Sequence, residues 1–328
     1  MEKNIKWGII GLGNIAHKFA ADLLLVEGAQ IKAVASRDSQ KAIDFAQTYH
    51  AENAFSSYKE LAEDPDIDIV YIATPHTFHY KNTMMCLRSG KSVLCEKAFG
   101  MNAKEVESMV SEARKQNVFL MEALWTRFIP ATEKLLELVN QNTIGEIKHI
   151  RADFGFIADK NPERRLFNKK LGGGSLLDVG IYPVYLSLLL LGLPYEIIAK
   201  AQMTESKVDS FCAMLFDYPN GNKAILESSI ESATRVEAYI YGNKGSIKMH
   251  KNFHHSKKLT IKLNGEESKT LQIDYIGNGY YHEIMEVMSC LRNHKIESSK
   301  MSHQMSLDLI GTLDKVRSKI GLTYEETE

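Results

Sequence analysis

The sequence predicts a chain of α/β class: a doubly wound parallel sheet with helices on both faces, followed by an α+β segment with a large, mostly antiparallel open sheet. Three observations carry this expectation. Over the first 124 residues, short β-rich runs alternate with helical patterns. A glycine-rich turn joins the first run to the first helix. After about Trp125 the alternation stops, and long β-like runs separated by turn residues take over.

In chain order, Ile5–Ile10 reads as a strand and Ile15–Leu25 as a helix. Ile31–Ser36 and Ser39–Tyr49 repeat the pair, as do Ile67–Ala73 and a helix ending near Arg88. Ser92–Glu96 is the next strand, Ala103–Gln116 the next helix, and Val118–Ala123 closes the series. This puts a dinucleotide-sized first domain at residues 1–124 and a second domain at 125–328. In the second, a helix near Thr132–Asn140 precedes a strand at Ile147–Phe156, and an apolar helix at Leu176–Leu191 follows three glycines. Strands are expected at Ile197–Met203, Phe211–Tyr218, Ala224–Ile230, Val236–Tyr241, Leu259–Leu263 and Leu271–Tyr275. Pro219-Asn220-Gly221 and Asn264-Gly265 supply turns, and helices at Tyr281–Arg292 and Ser306–Ile320 complete the pattern.

A length of 328 residues fits two domains at ~150 residues each. With 44% hydrophobic and 25% charged residues, disordered, collagen-like and disulfide-scaffold classes are excluded. Forty basic against 41 acidic side chains leave no basic cluster, so nucleic acid is not an expected partner. Cys86, Cys95, Cys212 and Cys290 form no Cys-x-x-Cys pair and read as idle thiols in a reducing compartment. Lys3 and Lys6 lead straight into a strand-like run, so no signal peptide is expected. The longest apolar stretch, Val184–Leu193, falls short of the ~20 residues a membrane span needs. The expectation is a cytoplasmic protein with neither membrane nor nucleic-acid partner.

The first strand runs into Gly11-Leu12-Gly13-Asn14-Ile15-Ala16, the G-x-G-x-x-G/A fingerprint. Gly11 permits the tight turn, Gly13 lets backbone approach a pyrophosphate, and Ala16 lets helix and strand pack closely. The helix start then offers free N–H groups and a partial positive charge to the anion. Strand before and helix after are the context that gives the string its meaning, and they predict a Rossmann-type cofactor site. About 20 residues on, where an acidic residue would read an unphosphorylated ribose, stands Ser36-Arg37. A guanidinium grips a phosphate by two hydrogen bonds, so NADP(H) is expected over NAD(H). Asp38 comes one position late, as a helix cap or a solvent-facing acid.

Ligands of open parallel sheets bind beyond the carboxyl ends of the strands. There the chain places Gly11, Ser36-Arg37, Thr74-Pro75-His76, Glu96-Lys97 and Glu122. A lysine facing a cationic nicotinamide is disfavoured as a cation, so Lys97 is a candidate proton-exchanging group. The second cluster is Gly172-Gly173-Gly174-Ser175-Leu176-Leu177-Asp178-Val179-Gly180-Ile181-Tyr182. Asp178 and Tyr182, four apart, share one face of a helix, and an acid and a phenol are costly to bury idle. Pro183 makes that turn irregular. His76-x-x-His79 lacks a third ligand nearby, so no metal is expected. His254-His255 lies in a Lys-rich stretch and reads as a solvated loop.

Taken together, the fingerprint, Glu96-Lys97 and the glycine–Asp178–Tyr182 run resemble the glucose–fructose oxidoreductase/inositol dehydrogenase (Gfo/Idh/MocA) family over essentially the full chain. Leu120-Met121-Glu122-Ala123-Leu124-Trp125-Thr126-Arg127-Phe128, Leu176–Pro183 and Ile320-Gly321-Leu322-Thr323 resemble its branch of dimeric dihydrodiol and NADP-dependent D-xylose dehydrogenases. The resemblance implies that Lys97 is the family's catalytic lysine, Asp178 its active-site aspartate, Tyr182 its general acid/base and Arg37 its 2′-phosphate ligand. It implies that Trp125, Arg127, Phe154 and Phe156 face the substrate, and that His76 and His79 flank the nicotinamide. It implies a homodimer through the open face of the second sheet. Ala98 stands where the family usually has proline after the lysine. The expected activity is hydride transfer between nicotinamide and a secondary alcohol, a cyclic trans-diol or sugar hydroxyl. A non-catalytic cofactor sensor and a reductase of oxo-sugars or imines are the alternatives.

Overall fold

The structure, a computed structural model, describes residues 4–324. Two compact units divide the chain: one runs to Arg127 and adds Ile276–Leu307, the other comprises Phe128–Tyr275 and the residues from Asp308 on. The first unit holds β1 (Ile5–Ile10), α1 (Asn14–Leu23), β2 (Ala29–Ala35), α2 (Ser39–Tyr49), β3 (Asn53–Phe55), α3 (Tyr58–Glu63), β4 (Ile69–Ile72), α4 (His79–Arg88), β5 (Ser92–Glu96), α5 (Ala103–Gln116) and β6 (Leu120–Ala123). Its strands lie in the order β3-β2-β1-β4-β5-β6, all parallel. The order reverses between β1 and β4, where such sheets bind ligands. Helices cover both faces, so β4, β5 and β6 are buried along their whole length. β3 and α3 escape the sequence reading because three and six residues are too short to show a period.

The second unit opens with α6 (Pro130–Asn140), β7 (Ile147–Gly155) and α7 (Ile181–Leu191). Seven strands follow: β8 (Glu196–Met203), β9 (Asp209–Asp217), β10 (Lys223–Ser229), β11 (Ala238–Gly242), β12 (Gly245–Met249), β13 (Lys258–Leu263) and β14 (Lys269–Gln272). They form one sheet, β14-β13-β12-β11-β7-β10-β9-β8, antiparallel except for the β7/β10 pair. Alternating burial along β9 and β12 marks one face as core, and α7 with the turn before it packs there.

α8 (Tyr281–Arg292) belongs to the first unit, and α9 (His303–Ile320) runs from one unit's segment into the other's. Residues 276–307 thus group by compactness with the first part of the chain. The cause is visible at Asp22 of α1, only 1% exposed. Its carboxylate accepts from the backbone N–H of Asn278 and Tyr281 and holds the start of α8. Amphipathic spacing in α8 announces a buried face without saying which sheet it covers.

The expected helix Leu176–Leu191 is two pieces: a π-helical turn at Leu176–Gly180 and then α7. Pro183 has no N–H to give the Val179 carbonyl, so a regular α-ladder cannot run through this point. The wider stretch Lys169–Leu191 is long and apolar enough to cross a membrane, but 83% of its most apolar 18-residue window is buried inside the protein, as in a core helix.

Candidate active site

In the first unit, a coenzyme cradle forms at the carboxyl ends of β1 and β2. Gly11 has φ +87°, and a Cβ there would stand 2.7 Å from the Ala73 carbonyl carbon and the Thr74 nitrogen. Only glycine combines that dihedral with that close approach. Gly13 precedes α1 with no side-chain cap, and a Cβ on it would meet nothing within 4 Å. The opening N–H groups of Asn14, Ile15 and Ala16 thus lie at an uncapped helix start fit for an anion. Ala16 is fully buried and lets α1 pack on the sheet; Ile15 is exposed.

Beyond β2, the Ser36 hydroxyl accepts from the Asp38 N–H at 3.2 Å. The carboxylate of Asp38 caps α2, accepting from Gln40 N–H at 3.0 Å and Lys41 N–H at 3.2 Å, the cap role allowed for it by the sequence. Arg37 between them is exposed, its guanidinium 5.8 Å from the Phe78 ring centroid. The basic residue faces outward while the acid next to it is engaged in the fold.

Residues after β4, β5 and β6 complete this end of the unit. His79, expected at the nicotinamide, is fully buried. Its Nδ1 lies 2.7 Å from the Ala98 carbonyl oxygen and its Nε2 2.7 Å from that of Thr74. Both ring nitrogens therefore tie together the loops after β4 and β5. Asn82 donates to the Thr74 hydroxyl at 3.1 Å; Pro75 and the buried His76 follow, with His76 ring-to-ring at 5.7 Å from His79. Glu96 is buried and accepts from the Tyr71 hydroxyl at 2.5 Å. Burial raises its pKa, opposed by that hydrogen bond and by Lys97. Lys97 is half-buried, and the peptide bond to Ala98 is cis. Glu122 accepts from the Phe99 N–H at 3.2 Å, and burial pushes its carboxyl up to about 7, opposed chiefly by a hydrogen bond from Ser306. Trp125, 9% exposed, stacks on Tyr280 at 4.7 Å, and Arg127 is half-buried two residues on.

In the second unit, Asp178 lies on the π-helical turn and accepts from Arg165 Nη2 at 2.9 Å. Arg165 comes from a short 3₁₀ turn in the loop before the glycines. The pair sets a guanidinium directly against the Asp178 carboxylate. Tyr182, 6% exposed, packs with Phe154 at 5.6 Å and with His254 at 4.8 Å between ring centroids. Phe154 stacks on His254 at 4.4 Å. His254 is 7% exposed, which corrects the expectation of a solvated loop. Charge density in the flanking lysines masks the inward turn made by the 3₁₀ segment Phe253–His255. Phe156 touches Phe154 edge-on at 6.5 Å but packs mainly with Ala158, Phe167 and Ile230.

Thus Asp178 and Tyr182 do come to one structural segment, as their spacing suggested, through a π turn followed by α7. Sequence reasoning missed Arg165 and His254. Arg165 stands 13 positions from its carboxylate in a loop without periodicity. No group of three or more His, Cys, Asp or Glu that could hold a metal occurs among the described residues.

The family profile described as "Oxidoreductase family, NAD-binding Rossmann fold" matches residues 5–124, and that of the GFO/IDH/MocA C-terminal domain matches residues 132–248. The chain belongs to the Gfo/Idh/MocA family and is an oxidoreductase with an NAD(P)-binding Rossmann domain. Its relatives include trans-1,2-dihydrobenzene-1,2-diol dehydrogenases. That of Xenopus tropicalis is 37% identical over 97% of this chain and 99% of its own. The Mus musculus protein is 38% identical over 98% of each chain. In fold the chain is similar to KijD10, a 3-ketoreductase from Actinomadura kijaniata solved with NADP and TDP-benzene, with TM-score 0.88, 24% identity and coverage of 97% and 98%. It is similar also to an aldose-aldose oxidoreductase from Caulobacter crescentus, with TM-score 0.88, 22% identity and 97% coverage of each chain.

Proposed function

We propose that the chain is an NADP-dependent dehydrogenase that transfers a hydride between nicotinamide and the carbon of a secondary alcohol, a cyclic trans-diol or a sugar hydroxyl. The observation that carries the cofactor choice is the pair Arg37 and Asp38: the guanidinium faces outward while the carboxylate caps α2. Backbone N–H groups from Gly11 to Ala16 hold the pyrophosphate, and Ser36 and Arg37 take the 2′-phosphate. Thr74, Pro75 and His76 flank the ring, with His79 and Glu96 acting through the frame around Lys97. When bound, the coenzyme supplies a hydride acceptor at its nicotinamide ring.

In this reading Tyr182, as phenolate, takes the alcohol proton and becomes the neutral phenol while hydride leaves the same carbon, and Lys97 is a second proton-exchanging group. Asp178, held by Arg165, accepts a hydrogen bond from the substrate and orients the reacting carbon. Trp125, Arg127, Phe154 and Phe156 are the substrate-facing side chains. Full-length relatives named as trans-diol dehydrogenases support the alcohol class. Four free, buried cysteines are compatible with a cytoplasmic setting.

A homodimer through the outward face of the second sheet belongs to the same proposal. There Ile198, Leu215 and Ile225 stand side by side across β8, β9 and β10, and Ile198 and Ile225 are each 51% exposed. An apolar ladder on a broad sheet face suits a second copy.

The test is kcat/KM with NADP⁺ and NAD⁺ over a panel of trans-dihydrodiols, cyclic diols and aldoses, followed by coenzyme fluorescence. Turnover with NADP⁺ favoured is expected. Coenzyme binding without turnover of any alcohol, or of any ketone in reverse, would overturn the reading in favour of a sensor.

A further inference from the structure

The glycine turn before Asp178 is held from two sides. Upstream, Gly173 N–H donates to the Asn168 carbonyl at 3.0 Å and Gly174 N–H to that of Leu166 at 2.9 Å. This locks the turn to the loop that carries Arg165. On the other side lies a residue far away in sequence. The Tyr324 hydroxyl donates to the Gly173 carbonyl at 2.5 Å, while the Arg317 guanidinium of α9 lies 5.4 Å from its ring centroid. Asp209 of β9 sits beside it, fully buried. Its Oδ2 accepts from the Ser175 hydroxyl and from the Leu176 N–H, each at 2.7 Å. Ser175 in turn meets the Ser228 hydroxyl of β10 at 2.8 Å.

The turn has no slack. Gly174 has φ +114°, and a Cβ on it would fall 2.2 Å from Asp209 Oδ1 and 3.3 Å from the Tyr324 hydroxyl. On Gly173 a Cβ would fall 2.5 Å from the Arg165 carbonyl oxygen. The segment between Asn168 and Leu176 is therefore pinned at each end and in the middle. The middle pin is the bond from Tyr324.

We infer that Tyr324 is a positioning residue: with Asp209 it clamps the glycine turn, and so fixes the π turn that presents Asp178 and the start of α7 that presents Tyr182. The clamp rests on the proposed function only for its effect on turnover. Its mechanical content, a bond between Tyr324 and the Gly173 carbonyl, stands without it. Removing the hydroxyl leaves the ring beside Arg317 and frees one carbonyl, so the turn gains motion without loss of the fold.

The experiment compares wild type with Tyr324→Phe and Tyr324→Ala by hydrogen exchange and by steady-state kinetics. In Tyr324→Phe, amides of residues 173–178 exchange about fivefold faster, as loss of one neutral hydrogen bond dictates, while peptides of the first unit are unchanged. The kcat for alcohol oxidation falls by about the same factor, with coenzyme Kd unchanged. Tyr324→Ala, which also removes the ring, gives the larger change in both. Wild-type exchange at 173–178 in both variants would overturn the clamp, whatever the chain turns over. Faster exchange with wild-type kcat would overturn its role in positioning Asp178 and Tyr182. If no alcohol is a substrate even for wild type, the function fails separately and the exchange result still decides the clamp.

Discussion

The coenzyme end of the first unit and the Asp178–Tyr182 segment of the second are built by different means. The first is made of backbone: a glycine turn, an uncapped helix start and loops that follow from strand order. The second is made of side chains brought in from far along the chain: Arg165, Asp209, His254 and Tyr324. The backbone site tolerates change in most of its side chains, because its donors are N–H groups that every residue but proline carries. The side-chain site has no such reserve. Each partner holds a particular group of the segment, and losing it releases that group.

The contrast sets an order of expected effects. Lys97→Met and Tyr182→Phe each lower kcat by about 10²–10⁴-fold, the usual worth of a general acid or base, with coenzyme Kd retained; stopped-flow kinetics and fluorescence titration separate the two quantities. Arg37→Ala raises Kd for NADP⁺ by roughly 10–100-fold, as loss of charge-assisted hydrogen bonds implies, and leaves NAD⁺ binding in place. An equal loss for both coenzymes would sink the assignment of the 2′-phosphate to Arg37.

Stability offers a test that needs no substrate. Folding raises the Glu122 carboxyl from its ordinary 4.5 to about 7. A carboxyl raised by folding leaves the native state unpenalised below its unfolded value and costs stability as pH climbs through 7. Glu122→Gln removes that cost while its amide oxygen still accepts from Phe99 N–H. The variant matches wild type near pH 4 and gains up to roughly 3 kcal/mol at pH 8. Thermal melts across that range report it, and a gain that is constant with pH contradicts it. The smallest effect is on assembly: Ile225→Asp, which charges one end of the Ile198–Leu215–Ile225 ladder, converts a dimer to a monomer in sedimentation with the fold kept.

These two regions also differ in how much of them was legible from sequence. Gly11, Gly13 and Ala16 announce their roles because the turn they make admits few other residues, and strand order puts Arg37 and Lys97 at the same sheet end. The cap role of Asp38 was one of the two readings that its position before a helical run allowed. His79 was visible as a residue of interest, but its two carbonyl partners lie in different loops and no spacing rule points to them. In the second unit, the spacing of Asp178 and Tyr182 was readable, whereas the π turn between them depends on the missing N–H of Pro183 and on the packing of β10 beneath it. His254 was misread because local charge was taken for exposure. The grouping of residues 276–307 with the first unit was not legible, because burial of a helix face says nothing of its partner until Asp22 is seen gripping the start of α8.

The most direct test of the central claim is single-turnover hydride transfer from a secondary alcohol to NADP⁺, followed by nicotinamide fluorescence in wild type and in Tyr182→Phe. A burst in wild type that disappears in the variant, with the coenzyme still bound, is the predicted result. A burst of undiminished rate in the variant would contradict it.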